Sequence, residues 1–232
     1  MRYLLKLSGE ALGGDAGFGI EPSVLEQIGE QIKAATDAGS ELALVLGGGN
    51  IFRGQALAAN GLDRVVGDRM GMLATVMNGL ALGDFLTRMG VPNQVYSSFA
   101  MAGIAPVYHR DDVDETLRAG KVAILTGGTG NPFFTTDTAA CLRGIELRAD
   151  AVLKATNVDG IYTADPKTDP DAKKYEQVTY DEVLAQELKV MDLTAIVLCK
   201  ENAMPLYVFD MMASESLVQI SQGVKVGTQV IA

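Results

Sequence analysis

The stretch Gly127-Gly128-Thr129-Gly130-Asn131-Pro132-Phe133-Phe134-Thr135-Thr136-Asp137 follows a short apolar run, Val122 to Leu125, and precedes a helix-like run, Thr138 to Arg148. The order is strand, glycine-rich loop, helix. Such a loop lets backbone N–H groups approach a phosphate, and the helix N-terminus behind it favours negative charge. Thr135, Thr136 and Asp137 stand where the helix begins. The plainer reading is a tight turn with Asp137 as N-cap, because a glycine loop alone is a weak signal.

Working outward, the same pattern recurs. Tyr3 to Leu7 reads as a first strand, broken by Ser8-Gly9-Glu10. Gly13 to Gly19 is too glycine-rich for regular structure and reads as a mobile loop. Pro22 opens a helix with Val24, Leu25, Ile28, Ile32 and Ala35 on one face, and Gly39 stops it. Leu42 to Leu46 is a continuous apolar run, as in a strand buried on both faces. It feeds into Gly47-Gly48-Gly49-Asn50-Ile51-Phe52-Arg53-Gly54. A long helix is expected from about Leu62 to Arg88, with Val65, Val66, Met70, Leu73, Met77, Leu80, Ala81 and Phe85 as its core stripe. Its methionines suit core or subunit packing. Gln94–Tyr96, Lys121–Leu125, Ala151–Ala155, Leu206–Phe209 and Val226–Ile231 read as further strands. Thr179 and Glu182 form a capping box. Helices are expected over Asp111–Ala119, over Thr194–Ala203 and over Glu215–Gln222, the last capped by Ser214. Alternating strands and helices predict an α/β fold, a three-layer sandwich of a mostly parallel sheet between helices. Ligands then sit beyond the C-terminal ends of the strands, where the glycine loops fall.

Composition narrows the function. The chain has 232 residues, 48% of them hydrophobic and 21% charged, with a net charge of −10. Its length suits one large α/β domain or two small lobes. The acidic balance argues against general nucleic-acid or anionic-membrane binding. No run reads as a signal peptide or as long enough to span a bilayer. Cys141 and Cys199 each lie in an apolar segment and fit a reducing cytoplasm without a disulfide framework. A lone His109 supplies neither a zinc site nor a His-based triad.

Within this acidic chain three cations gather at strand exits: Lys6, Arg53 and Lys154. Singly, each reads as a strand-end salt bridge. Together with three glycine loops they point to a polyphosphate. No Gly-x-x-x-x-Gly-Lys-Ser/Thr loop is present, which excludes the usual P-loop kinases. No Gly-x-Gly-x-x-Gly opens the first helix, which disfavours a dinucleotide enzyme.

Four runs carry a family resemblance: Lys6-Leu7-Ser8-Gly9-Glu10-Ala11-Leu12, Gly47 to Gly54, Gly130 to Asp137, and Lys154 to Pro166. In order and over essentially the whole chain, they resemble the bacterial uridylate (UMP) kinases of the amino acid kinase superfamily. The first and third runs are specific to that branch. The Gly47–Asn50 loop is shared with relatives that phosphorylate carboxylates or carbamate.

The resemblance implies a single domain over 1–232, with a UMP site mainly in the N-terminal part and an ATP site mainly in the C-terminal part. It implies transfer of the γ-phosphoryl group of ATP to UMP, with Mg²⁺ held mainly by phosphates. Lys6, Leu7, Ser8, Gly9 and Gly49 would hold ATP phosphates, and Arg53 would sit between donor and acceptor. Thr156, Asn157, Tyr162 and Asp165 would hold the adenosine. Gly48, Asp68, Thr129, Gly130, Asn131, Pro132, Phe133, Phe134, Thr135 and Thr136 would form the UMP site, with Asp68 accepting from ribose hydroxyls. Lys6 would stabilise the transferring group and Asp137 would orient Lys6 or Lys154. Asp192 would orient the lysines or the metal shell, or else serve only as the acid that opens the helix at Thr194. The family resemblance further implies a cytoplasmic homohexamer responsive to GTP and UTP, with Gly14, Asp15, Ala16, Gly17, Phe18 and Gly19 matching an allosteric segment. Gly223-Val224-Lys225-Val226-Gly227-Thr228 departs from the family's usual Gly-Glu-x-x-Gly-Thr. A carboxylate or carbamate kinase and a non-catalytic nucleotide-binding protein are the competing readings.

Overall fold

Apolar continuity in β1 (Arg2–Leu7), β2 (Glu41–Leu46), β4 (Val122–Thr126) and β5 (Ala151–Thr156) leaves no face for water, and all four strands are covered on both sides. The computed structural model describes residues 1–52, 61–164, 166, 168–169, 171–213 and 215–232. With β3 (Asn93–Ser97), β6 (Gln177–Thr179), β7 (Leu206–Asp210) and β8 (Thr228–Ile231), these strands form one eight-stranded sheet in the order β3-β4-β2-β1-β5-β7-β8-β6. Every pairing is parallel except β7 with β8. From β1 the chain adds β2, passes to β3 at the sheet edge and returns to place β4 between β3 and β2, then crosses to β5 on the other side of β1. The switch in direction therefore falls at β1, where a doubly wound sheet opens a crevice.

Period-two alternation sorts the strand residues between two cores. Tyr3, Leu5, Leu7, Leu42, Leu44, Leu46 and Leu153 pack with α2 (Pro22–Asp37), α3 (Arg64–Arg88) and α8 (Ser216–Ser221). Leu4, Val45, Leu125 and Val152 pack with α4 (Arg110–Arg118), α5 (Thr136–Glu146), α6 (Tyr180–Ala185) and α7 (Leu193–Glu201). Lys6 and Lys154 share the phase of Leu4 and Val152, so both turn toward α5.

Local chemistry sets the element ends. Pro22 is at the start of α2, and Gly39 beyond it takes a φ of 87°. The capping box at Thr179 and Glu182 forms in both directions. β1 ends at Leu7, as expected from Ser8-Gly9-Glu10, and the Ser8 hydroxyl also accepts from Ala11 N–H and caps a short α1 (Gly9–Leu12). The segment beyond it, read as a mobile loop, contains a 3-10 turn at Gly14–Ala16. The expected cap Ser214 lies outside the described residues.

The larger correction concerns α3. The helix forms as expected, capped by Asp63. However, Val66, Met70, Leu73, Met77 and Leu80 are exposed. The buried side carries Gly67, Met72, Ala74, Thr75, Val76, Asn78, Gly79, Leu82, Gly83 and Leu86. Small residues win that side because the helix lies close to the sheet. A Cβ on Gly79 would collide with Thr126 Cγ2, and one on Gly83 would lie 3.1 Å from Val95 Cγ2. Among the described residues α3 alone has the length and mean hydropathy of a bilayer-crossing helix, which amends the expectation that no run does, yet half of its most apolar window is buried. Its apolarity serves packing on one side and leaves a bare stripe on the other.

Gly79→Ala should lower stability by ~1–3 kcal/mol through overpacking against Thr126, read as a fall in the urea midpoint at unchanged slope; an unshifted midpoint would mean the helix can back away freely.

Candidate active site

In the parallel register of β1 with β5, Lys6 pairs with Lys154. Two ammonium groups side by side at the sheet's C-terminal end repel each other and need a carboxylate between them. Asp137, in the first turn of α5, supplies it: Oδ1 lies 2.7 Å from Lys6 Nζ and Oδ2 lies 2.8 Å from Lys154 Nζ. The Lys154 ammonium also donates to the Val190 carbonyl. Burial would raise the Asp137 carboxyl, but the charges of Lys6 and Lys154 outweigh it and hold the group below the ordinary carboxylate range. Burial lowers the Lys154 ammonium, and Asp137 only partly restores it. The three side chains form a fixed, largely desolvated ion triad.

The start of α5 is set differently from expectation. Thr135, not Asp137, is the N-cap: its hydroxyl accepts from the N–H groups of Asp137 and Thr138 at 3.1 and 3.2 Å. Asp137 is thereby released to face the lysines. The Thr135 hydroxyl donates to Asp192, and Thr138 Oγ1 donates to the same carboxylate at 2.9 Å. Asp192 in turn caps α7 by accepting from Ala195 N–H at 3.1 Å. It thus ties two helix N-termini together instead of bonding a lysine.

The flanking loops converge through missing side chains. A Cβ on Gly9 would lie 2.5 Å from Gly49 N, and one on Gly47 would lie 2.5 Å from Gly9 N. Two strand-exit loops therefore touch backbone to backbone, which brings Leu7, Ser8 and Gly9 beside Gly49. Gly48 packs on α3, where a Cβ would meet Ala74 Cβ and Gly71 O at 2.8 Å. Arg53, expected between two phosphates, lies outside the described residues, as does Asp165.

Asp68 accepts from Phe133 N–H at 2.8 Å and from Arg64 Nε at 2.8 Å. It thereby anchors the Gly130–Asp137 loop to α3. Phe133 holds a left-handed φ of 71° there, and both Phe133 and Phe134 are exposed. Thr129, Gly130, Asn131 and Pro132 form the turn before them, closed by Gly130 N–H donating to the Gly127 carbonyl at 2.9 Å. Thr136 is the first residue of α5. Beside this turn lies a 310 Å³ cavity lined by Arg69, Met72, Leu73, Phe99 and Gly130.

On the other side of the ion triad a cleft of 550 Å³ runs from Lys154 past Thr156, Asn157 and Tyr162. Its opposite wall is Gln186 to Val190, which sequence reading did not single out. The only local signal there would have been the polar loop between two helices, with Glu187 at a φ of 51°. Thr228, quoted in the Gly223–Thr228 run without a role, helps to hold this wall. Its hydroxyl accepts from Ile161 N–H at 2.9 Å, so the last strand holds the wall of this cleft despite the departure at Val224. Gly14 to Phe18 stand outside both clefts, while Gly19 is bonded to Asn50. Among the described residues no group of three His, Cys, Asp or Glu side chains could hold a metal ion. The arrangement offers a cation pair and paired glycine loops between two clefts, suited to placing two anionic ligands end to end.

Known proteins are similar to this chain in sequence and in fold. A uridylate kinase from Legionella pneumophila (strain Lens) is 57% identical over 227 residues, spanning 98% of this chain and 92% of the relative. One from Marinobacter nauticus is 57% identical over 98% of this chain and 94% of its own. The crystal structure of a UMP kinase from Bacillus anthracis superposes with a TM-score of 0.96 at 38% identity, over 99% of this chain and 95% of that one. A UMP kinase from Ureaplasma parvum superposes with a TM-score of 0.93 at 35% identity, over 100% and 99%. With the model of the amino acid kinase family matching residues 1–210, and relatives this similar over nearly their whole length, the chain belongs to the amino acid kinase family.

Proposed function

We propose that this protein is an ATP:UMP phosphotransferase that makes UDP and ADP for pyrimidine nucleotide synthesis. The observation that carries the reading is the ion triad Lys6–Asp137–Lys154 at the switch in strand order, with the larger cleft opening at Lys154. One domain over 1–232 serves both substrates. The 550 Å³ cleft suits adenosine, with Tyr162 packing on adenine and Thr156 and Asn157 reading polar edges; the family resemblance assigns Asp165, outside the described residues, to the same ligand. The loop Thr129–Thr136, the smaller cavity beside it, Gly48 and Asp68 suit UMP.

Phosphoryl transfer needs in-line positioning and charge neutralisation more than covalent help. The acceptor is a phosphate oxygen already ionised at neutral pH, so no strong general base is required. Lys6, joined by Arg53, neutralises charge on the transferring group, and the loop at Leu7–Gly9 with Gly49 cradles the ATP phosphates. Lys154 supports Lys6 through Asp137, whose carboxylate bonds both ammonium groups and fixes their positions. Asp192 holds the N-terminus of α5, and with it Asp137, in place.

Mg²⁺ fits this donor set, since it keeps its waters and takes most other ligands from phosphates instead of an all-protein cage. It would supply charge neutralisation for the phosphates that Lys6, Leu7–Gly9 and Gly49 would hold. Two buried free thiols fit a cytoplasmic setting. The bare stripe Val66, Met70, Leu73, Met77 and Leu80 on α3 suits burial against a second copy within a homohexamer. GTP and UTP are the candidate effectors, with Gly14–Gly19 as the responding segment.

A coupled ADP-release assay with Mg-ATP, run against UMP, CMP, dUMP, carbamate and acidic amino acids, is expected to give strong turnover with UMP alone; turnover with a small acid and silence with UMP would overturn the acceptor assignment. Lys6→Ala should reduce kcat by about 10²–10³-fold, the usual effect of removing one charge-stabilising group, while circular dichroism shows a retained fold; near-normal kcat would remove Lys6 from the mechanism. Met77→Glu should break the native assembly into smaller species by light scattering, and an unchanged mass would place the subunit contact elsewhere.

A further inference from the structure

Behind the glycine loop that follows β2 lies a polar cluster that the chemistry above does not use. Asn50 and Asn78 are both fully buried. Their side chains bond reciprocally: Asn50 Nδ2 donates to Asn78 Oδ1 at 3.0 Å, and Asn78 Nδ2 donates to Asn50 Oδ1 at 2.7 Å. Each amide spends its second N–H on a backbone carbonyl. Asn78 donates to Gly47 O at 2.7 Å, and Asn50 donates to Gly19 O at 2.6 Å. Gly19 N–H returns a bond to Asn50 O at 2.8 Å. All four amide N–H groups are therefore satisfied. Only one orientation of each amide achieves this, because a flip would turn oxygen toward a carbonyl. A fully satisfied buried network is rigid, and a half-satisfied one is costly.

The cluster's position gives it a role. Gly47, whose carbonyl it holds, is the residue against which Gly9 packs, and the turn starts at Gly48, whose carbonyl accepts from Ile51 and Phe52 at 3.0 and 2.9 Å. Asn78 comes from α3, the helix that also contacts Gly48. Val76 and Leu82, on the same buried side of α3, are apolar. The sequence instead spends a buried amide at Asn78.

We propose that Asn78 is a positioning residue for phosphoryl transfer: through Asn50 it locks the Gly47–Gly49 loop, and the Gly19 end of the preceding segment, into the geometry that receives nucleotide phosphates. The inference deepens the kinase reading and rests on it for its kinetic arm.

The test compares Asn78→Leu, near in size but without donors, with the parent enzyme. The expected result is a fall in kcat/KM for both ATP and UMP of about 10–100-fold, the scale of a small misplacement of reacting groups. ADP binding, followed by calorimetry, should weaken in step, while adenosine, which lacks phosphates, binds as it does to the parent. A purely structural amide would lower the thermal midpoint and leave kcat/KM per folded molecule and the ADP-to-adenosine affinity ratio unchanged, and that result overturns the proposal. Parallel loss of adenosine and ADP affinity overturns it as well. If Asn78→Leu does not fold, Asn78→Ser, smaller and with a single hydroxyl, is read in the same way. If the parent itself releases no ADP with UMP, the kinase reading fails, and the ADP-to-adenosine ratio still decides the role of the pair.

Discussion

Two lysines in register on neighbouring parallel strands are the constraint on which the rest of this structure depends. Lys6 and Lys154 face one side of the sheet where β1 meets β5. Without a counter-charge, two ammonium groups so placed and so little exposed would destabilise the sheet they stand on. Asp137 resolves the conflict, and its position imposes the next requirement. It must sit in the first turn of α5 without being used as the cap, so Thr135 caps instead. Thr135 and Thr138 are in turn fastened to Asp192. A chain of local demands thus runs from a strand register to a helix N-terminus and on to a second helix.

The same economy governs α3. Its sheet-facing side must be small enough for Gly79 and Gly83 to lie on β3 and β4 and for Gly48 to touch Ala74 and Gly71. Val66, Met70, Leu73, Met77 and Leu80 fall on the outer side, where they stand exposed. One helix consequently presents a tight polar-and-glycine face to the phosphate loop and a broad apolar face to its surroundings. Asn78 on the first face and Met77 on the second are adjacent in sequence, so any rotation of the helix moves both.

Much of this could be read from residue order. Continuous apolar runs announced strands buried on both faces, and glycine loops at their exits placed the ligand edge. Pro22, Gly39 and the Thr179–Glu182 capping box marked ends through local backbone chemistry alone. Less legible were features set by distant partners. Periodicity found α3 but assigned its apolar stripe to the core, because a helical wheel counts hydrophobicity and not the distance to the neighbouring sheet. Asp192 could be read either as a site residue or as a helix-opening acid. The structure makes it a cap that also receives two threonines from another helix.

By itself the sequence determined the strand and helix order, the parallel sheet, the glycine loops and the three strand-exit cations, since these follow from local pattern, propensity and charge. Only the tertiary structure decided that Lys6 and Lys154 are neighbours bridged by one carboxylate, that Thr135 and not Asp137 caps α5, that Gln186–Val190 border the larger cleft while Thr228 bonds Ile161 in its wall, and that α3 turns Val66, Met70, Leu73, Met77 and Leu80 outward. Each of these is a contact between residues far apart in the chain. Such contacts depend on strand register and helix-to-sheet distance, which no local window contains.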